Sequence, residues 1–182
     1  MGKIRVHEFV SADGVFEDPS FTVAYGFPES IGAAIGEITV SAKVILLGRN
    51  TFEMFAPAWS TRTADDDPGA PFFNDTTKVV VSSTMSDADS WQNSGVIGAY
   101  DAETIRALKE GTVGDLYISG SGQLVRALLR DGLVDELHLF VYPVILGAGE
   151  RLFHGMEQTS LQLLSSQPHE NGVVHLVCGP AH

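Results

Sequence analysis

The run Val44-Ile45-Leu46-Leu47 ends in Gly48-Arg49-Asn50-Thr51. Four apolar residues in succession leave no polar face, which is the pattern of a strand covered on both sides, and such strands belong to largely parallel sheets. A helix is predicted to follow from about Thr51 to Pro57, so the glycine turn sits where a strand hands over to a helix. The same order recurs at Leu116 to Ser119, where Gly120-Ser121-Gly122 leads into Leu124, Val125, Leu128 and Leu129 at helical spacing. Gly132 is placed to end that helix in the left-handed conformation.

Outward from these two units the chain reads as alternating strands and helices. Lys3 to Val10 is a first strand, and Ser11-Ala12-Asp13-Gly14 opens a long loop after it. Ile31, Ala34, Ile35 and Ile38 mark a helix over Glu29 to Val40. Thr61 to Asp75, with its Asp65-Asp66-Asp67-Pro68-Gly69 run and no periodicity, reads as a solvated loop and a candidate lid. Lys78 to Ser82 and Val96 to Tyr100 are further strands. Asp101 stands at an N-cap, Ile105 and Leu108 form the apolar stripe of the helix it starts, and Gly111 ends it. After Asp135 the segments Glu136 to Tyr142, Leu161 to Gln167 and Val173 to Cys178 are strands with no helix-length stretch between them, so antiparallel pairing at one edge is expected. The fold class is α/β, with a mixed, mostly parallel sheet, antiparallel C-terminal strands and helices on both faces.

The 182 residues suit one domain, and 44% hydrophobic content is enough for a sizeable core. Eleven Lys and Arg against 23 Asp and Glu give a net charge of -12. A field of that sign repels nucleic acid and anionic lipid, so neither is expected as a partner. No apolar run has membrane-helix or signal-peptide length, and the lone Cys178 cannot form an internal disulfide; a cytoplasmic location is expected.

Free N–H groups and a partial positive charge at a helix N-terminus receive phosphate oxygens, and glycine lets a ligand approach the backbone. Two such turns in one small domain point to a diphosphate-bearing cofactor, with Arg49 available to neutralise charge. For either turn alone, ordinary loop chemistry is the competing reading. Gly120-Ser121-Gly122 is not a Rossmann fingerprint, because Val125 occupies the third glycine's place. The hydroxyls of Ser82, Ser83 and Thr84 end a strand and suit either a phosphate or a plain turn. No metal site is signalled by the six histidines and single cysteine, and no Gly-x-Ser-x-Gly elbow occurs.

These motifs together resemble the dihydrofolate-reductase-like superfamily, and within it the C-terminal reductase domain of the bacterial bifunctional riboflavin-biosynthesis deaminase/reductase. The resemblance rests on Ser11-Ala12-Asp13-Gly14, Leu47-Gly48-Arg49-Asn50-Thr51-Phe52-Glu53 and Lys78-Val79-Val80-Val81-Ser82-Ser83-Thr84. Its most specific part is Ile118-Ser119-Gly120-Ser121-Gly122-Gln123-Leu124, continued through Leu128 to Leu137 and Pro143 to Gly149.

The resemblance implies NADPH as cofactor, a homodimer, and hydride transfer to a small pterin- or pyrimidine-like substrate. A nucleotide-binding module without turnover is the alternative. By the same carry-over, Gly48, Arg49 and Thr51 would contact phosphates, Ser82 and Ser83 the adenosine 2′-phosphate, and Gly120, Ser121, Gly122, Gln123 and Leu124 the pyrophosphate and nicotinamide ribose. Val10 and Ser11 would meet the nicotinamide carboxamide through backbone groups. The acid of dihydrofolate reductases aligns at or near Gly32, where this chain has none. Asp13 is the acid candidate in its place, with turn stabilisation as its competing role. Tyr25, Phe27 and Trp59 are candidates for an apolar wall around a planar ring, or for plain core.

Overall fold

A computed structural model describes residues 2–181. Eight strands form one sheet in the order β4-β3-β2-β5-β1-β6-β8-β7. They are β1 (Ile4–Ser11), β2 (Ala42–Gly48), β3 (Thr77–Val81), β4 (Ser94–Val96), β5 (Asp115–Ile118), β6 (Glu136–Tyr142), β7 (Leu161–Pro168) and β8 (Val174–Pro180). Pairing is parallel from β4 through β6, and β8 runs antiparallel to both β6 and β7. The mixed sheet expected from the sequence is the one observed.

Helices cover both faces. On one, α1 (Glu29–Thr39) and α2 (Arg49–Trp59) bury Ile31, Ala34, Ile38, Phe52 and Ala56 against Ile45, Leu47 and Phe140. On the other, α4 (Ala102–Gly111) and α5 (Gly122–Arg130) bury Ile105, Leu124, Val125 and Leu128 against Ile4, Val6, Leu46 and Ile118. Each of those leucines, isoleucines and valines contributes roughly 1.5–3 kcal/mol on full burial. The Asp101 carboxylate accepts from the Thr104 N–H, as an N-cap should, and Gly132 has φ +65°.

Two local expectations are corrected. The acidic loop does not run unbroken to Asp75: α3 (Ala70–Asp75) occupies its end, with Ala70 and Asn74 buried. Asn74 caps that turn of structure into the body, donating to the Trp59 and Arg62 carbonyls and accepting from the Trp91 ring N–H at 2.7 Å. The strand expected at Val96 to Tyr100 lies earlier, at Ser94–Val96, because the register of β4 is set by Lys78, Val79 and Val80 of β3. A short 3-10 helix, Pro19–Tyr25, also stands in the long loop after β1.

Lys78 is fully buried on β3. Its ammonium donates to the carbonyls of Phe73, Asn74 and Thr76 and lies 4.6 Å from the Trp91 ring centre. Burial lowers its pKa to about 8. Three carbonyls and an aromatic face replace the water it lost.

Candidate active site

The neighbours β2 and β5 send their following helices to opposite faces of the sheet: α2 to one, α5 to the other. A crevice must open between two such strands at their C-terminal ends, and this is where open α/β sheets take ligands. Both helix starts lack a side-chain cap: the N-cap of α2 is Gly48 and that of α5 is Ser121. Their first N–H groups are therefore unclaimed by any capping side chain.

The two turns touch. A Cβ on Gly48 would overlap the Ser121 side chain, and one on Gly120 would come within 2.6 Å of Thr51 Oγ1. Gly120 also has φ +82°, which a side chain would strain, and the Gly120–Ser121 peptide is cis. The ring of Phe16, from the loop after β1, covers Gly122 so closely that a Cβ there would collide with it. The two glycine motifs thus form one seam.

That seam floors a cleft of about 930 Å³, near the top of the ~300–1,000 Å³ range of ligand sites. Gly48, Arg49 and Thr51 line it, with Ser82 and Ser83 on one side and Gly120, Ser121, Gly122, Gln123 and Leu124 on the other. The Ser82 hydroxyl is already used in its turn, accepting from the Thr84 and Met85 N–H groups. Arg49 keeps its guanidinium half exposed, 3.3 Å from Thr84 Oγ1 and 4.0 Å from Glu53. Arg130, at the end of α5, lines the same cleft and makes no ion pair among the described residues. The cleft thus carries two arginines, Arg49 from α2 and Arg130 from α5.

The remaining site candidates are placed differently. Val10 is packed into the core and Ser11 is buried, its N–H donating to the Val15 carbonyl at 2.9 Å. Neither lines the cleft. The part of β1 that does is Glu8 and Phe9. The pairing of β5 to β1 stops at Val6 opposite Ile118, so the next residues of β1 lose that neighbour and face the opening.

Asp13 lies outside the cleft lining and serves as a staple. Its carboxylate accepts from the Ser11 hydroxyl at 2.7 Å and from the N–H groups of Leu146 and Gly147, and Arg151 is 3.4 Å away. The Ser11 hydroxyl first, then these amides, hold its pKa down near 2. A group so stabilised as an anion has no proton to give at neutral pH. Its turn-stabilising role is the one the geometry displays.

The wall of Tyr25, Phe27 and Trp59 is not assembled. Tyr25 donates to the Pro143 carbonyl and packs edge-on against Tyr142, and Phe27 is 61% exposed beside Gly32. Trp59 alone reaches the cleft, stacked on Phe73 with ring centres 4.3 Å apart; Met54 and Phe55 share that side with it.

Glu8 is a cleft-lining acid that the sequence does not single out. It is 6% exposed, and its Oε1 is sealed from solvent with no hydrogen-bond partner. Burial pushes its pKa up to about 8 against the opposing pull of the Gly120 N–H. The signal was available: an acid at even spacing from Ile4, Val6 and Val10 shares their buried face.

The family model described as the RibD C-terminal domain matches residues 2–175. The chain belongs to that family. Its curated relatives include two uncharacterized proteins of Bacillus subtilis (strain 168). YyaP is 27% identical over 140 residues, covering 73% of this chain and 71% of that protein. YwjB is 28% identical over 161 residues, covering 85% and 84%. Among solved structures, a Shewanella sp. PV-4 protein ascribed to riboflavin biosynthesis superposes with a TM-score of 0.79 at 19% identity over the whole of both chains. Dihydrofolate reductase from Enterococcus faecalis, complexed with NADP(H) and RAB-propyl, gives 0.62 at 17% identity over 97% of this chain and 94% of its own. At such identities the likeness is one of fold, and the RibD C-terminal fold is dihydrofolate-reductase-like and reductase-type.

Proposed function

We propose that this RibD C-terminal domain protein is an NADPH-dependent reductase acting on a small pterin- or pyrimidine-like heterocycle. The observation that carries this reading is the seam itself: two uncapped helix N-termini from opposite faces of the sheet, locked together by Gly48, Thr51, Gly120 and Ser121 at the floor of one cleft. Two positive helix ends at one point suit the adjacent charges of a pyrophosphate. The family match and the NADP(H) complex of a structural neighbour agree with it.

In this reading the turns Gly48 to Thr51 and Gly120 to Leu124 hold the pyrophosphate through their free amides, and Arg49, Arg130, Ser82 and Ser83 hold the further phosphate of the adenosine half. NADPH, when bound, supplies the hydride and carries the redox chemistry. The chain's work is to hold, orient and exclude water: Phe9, Met54, Phe55 and Trp59 give the cleft an apolar side for a planar ring. The partner included in the reading is a second copy of the chain, with the edge strand β7 as contact, since every residue of β7 is exposed and Leu161, Leu163 and Leu164 lie open on it.

The test is titration with NADPH followed by thermal unfolding. A ligand at a hundred times its dissociation constant stabilises by ~2.7 kcal/mol, which for a chain of this size is a rise of about 5–10 °C. No rise at millimolar NADPH overturns the reading. Loss of NADPH absorbance on adding dihydrofolate, a pterin or an aminopyrimidine separates a catalyst from a binding module.

A further inference from the structure

Glu8 stands apart from every other carboxylate of the described residues. The remaining acids with shifted pKa values, among them Asp13, Asp101, Asp115 and Glu136, are all held as anions by donors or cations. Glu8 has no cation within hydrogen-bond reach and one oxygen with no partner at all. It lies on the cleft wall beside Gly120, where β1 outruns β5.

A carboxyl group in that position is unexplained by packing. Its neighbours on the same face of β1, Val6 and Val10, are apolar core residues, and an apolar side chain would fill the place without any desolvation cost. As an anion it would compete with phosphate for the same helix N-termini, with the Gly120 N–H alone to stabilise its charge. A neutral acid leaves that grip free.

We infer that Glu8 is the proton donor of this site, a neutral carboxylic acid on the cleft wall that surrenders its proton to the heterocycle as the heterocycle is reduced. The inference rests on the reductase reading above. In the step, the Glu8 O–H bond breaks and the proton joins the substrate heteroatom that takes the electron pair of the reduced double bond. Glu8 is left as carboxylate and regains a proton from solvent. The reductant is the NADPH of that reading, whose hydride would join the carbon of that double bond, leaving NADP⁺. An oxidised nicotinamide is cationic, and a cation within several ångströms favours the ionised form of an acid. With such a ring in the cleft, the acid would hold its proton beside NADPH and release it beside NADP⁺.

The charged groups sharing the cleft are Glu17 and Asp18 from the loop after β1, Arg49 of α2, Arg130 of α5, and Glu150. Tyr117 of the adjoining β5, whose hydroxyl is bonded to His7, feels the Glu8 charge, and burial first keeps its hydroxyl neutral through the range of interest.

Glu8→Gln keeps the shape and removes the titration; Glu8→Asp keeps an acid. Infrared difference spectra of the free protein are expected to show a protonated-carboxyl carbonyl band at pH 6.5 that fades through pH 8, is absent in Glu8→Gln and is retained in Glu8→Asp. Calorimetry of NADP⁺ binding at pH 7 in two buffers of different ionisation heat is expected to count close to one proton released by the wild type and none by Glu8→Gln, with NADPH releasing none from either. This count needs no turnover. With dihydrofolate as the reducible probe, Glu8→Gln is expected to lower kcat about 100-fold, the smaller end of general-acid effects, while NADPH affinity stays within threefold. No carboxyl band in the wild type, equal proton release by Glu8→Gln, or an unchanged kcat overturns the inference. A wild type that fails to bind NADPH overturns the reductase reading with it; one that binds NADPH and gives any of those three results overturns the role of Glu8 alone.

Discussion

Gly48 lies so close to Ser121 that a methyl group on the glycine would overlap the serine side chain. The contact joins residues 73 positions apart in sequence, and it fixes the start of α2 against the start of α5. Gly48→Ala is therefore expected to push the two turns apart and to weaken NADPH at least tenfold, read by fluorescence titration. Gly36→Ala is the control. A Cβ there meets nothing within 4 Å inside α1, so this variant should keep its affinity and gain about 0.5–1 kcal/mol of stability from the lost backbone freedom.

Arg49 and Arg130 approach the cleft from opposite faces of the sheet. Each is expected to make a charge-assisted bond to a phosphate, worth roughly 1.5–3 kcal/mol. Arg49→Ala or Arg130→Ala should each weaken NADPH about 10- to 150-fold without lowering the melting temperature of the free protein. A variant that binds as tightly as the wild type returns its arginine to the role of surface cation.

A staple and an acid are distinguished by different measurements. Asp13→Asn removes the charge that organises Leu146, Gly147 and Arg151. It is expected to loosen the loop after β6, seen as faster amide exchange at Leu146 and Gly147, and to leave the pH profile of turnover unmoved. A displaced profile would restore Asp13 as the acid.

His7, His138 and His175 share one face of β1, β6 and β8, with His138 Nδ1 3.1 Å from His175 Nε2 and His175 stacked on Phe140 at 4.2 Å. Burial first, and the neighbouring imidazoles second, lower the pKa of His7 to about 3 and that of His175 to about 4. Unfolded, both titrate near 6.5, so below that pH the unfolded chain binds more protons than the folded one. Stability is full above pH 6.5 and falls on acidification by up to about 1.4 kcal/mol per pH unit for each ring. Glu8 acts in the other sense: its raised pKa gives stability below pH 4.5 that is lost as pH rises through 8. Denaturant titrations should find a maximum near pH 6 to 7, and Glu8→Gln should flatten the limb from pH 6.5 to 8 while steepening the limb between pH 4.5 and 6.5. An unchanged alkaline limb in that variant contradicts the assignment.

The sequence showed the parts of this site more readily than their assembly. Both glycine turns were readable because a continuous apolar run, a glycine and a helical stripe are local patterns, and Arg49 stood out by lying inside one of them. Glu8 was passed over because the burial of an acid depends on where the neighbouring strand stops, and Ile118 is 110 residues away. Arg130 is illegible for a similar reason: that it lines the same cleft as Arg49 depends on where α5 packs. Tyr25 and Phe27 were grouped with Trp59 by residue type alone, and the 3-10 helix at Pro19–Tyr25 turns Tyr25 toward Tyr142 instead. The helix α3 escaped notice because six residues are too few to show a period after Pro68 and Gly69.

The seam between α2 and α5 grips chiefly with main-chain amides, and an amide is the same whatever side chain follows it. Substitutions can therefore accumulate around such a grip at little cost to it, while the ring-facing side of the cleft, built from Phe9, Met54, Phe55 and Trp59, changes with each one. One handle can in this way serve many tools.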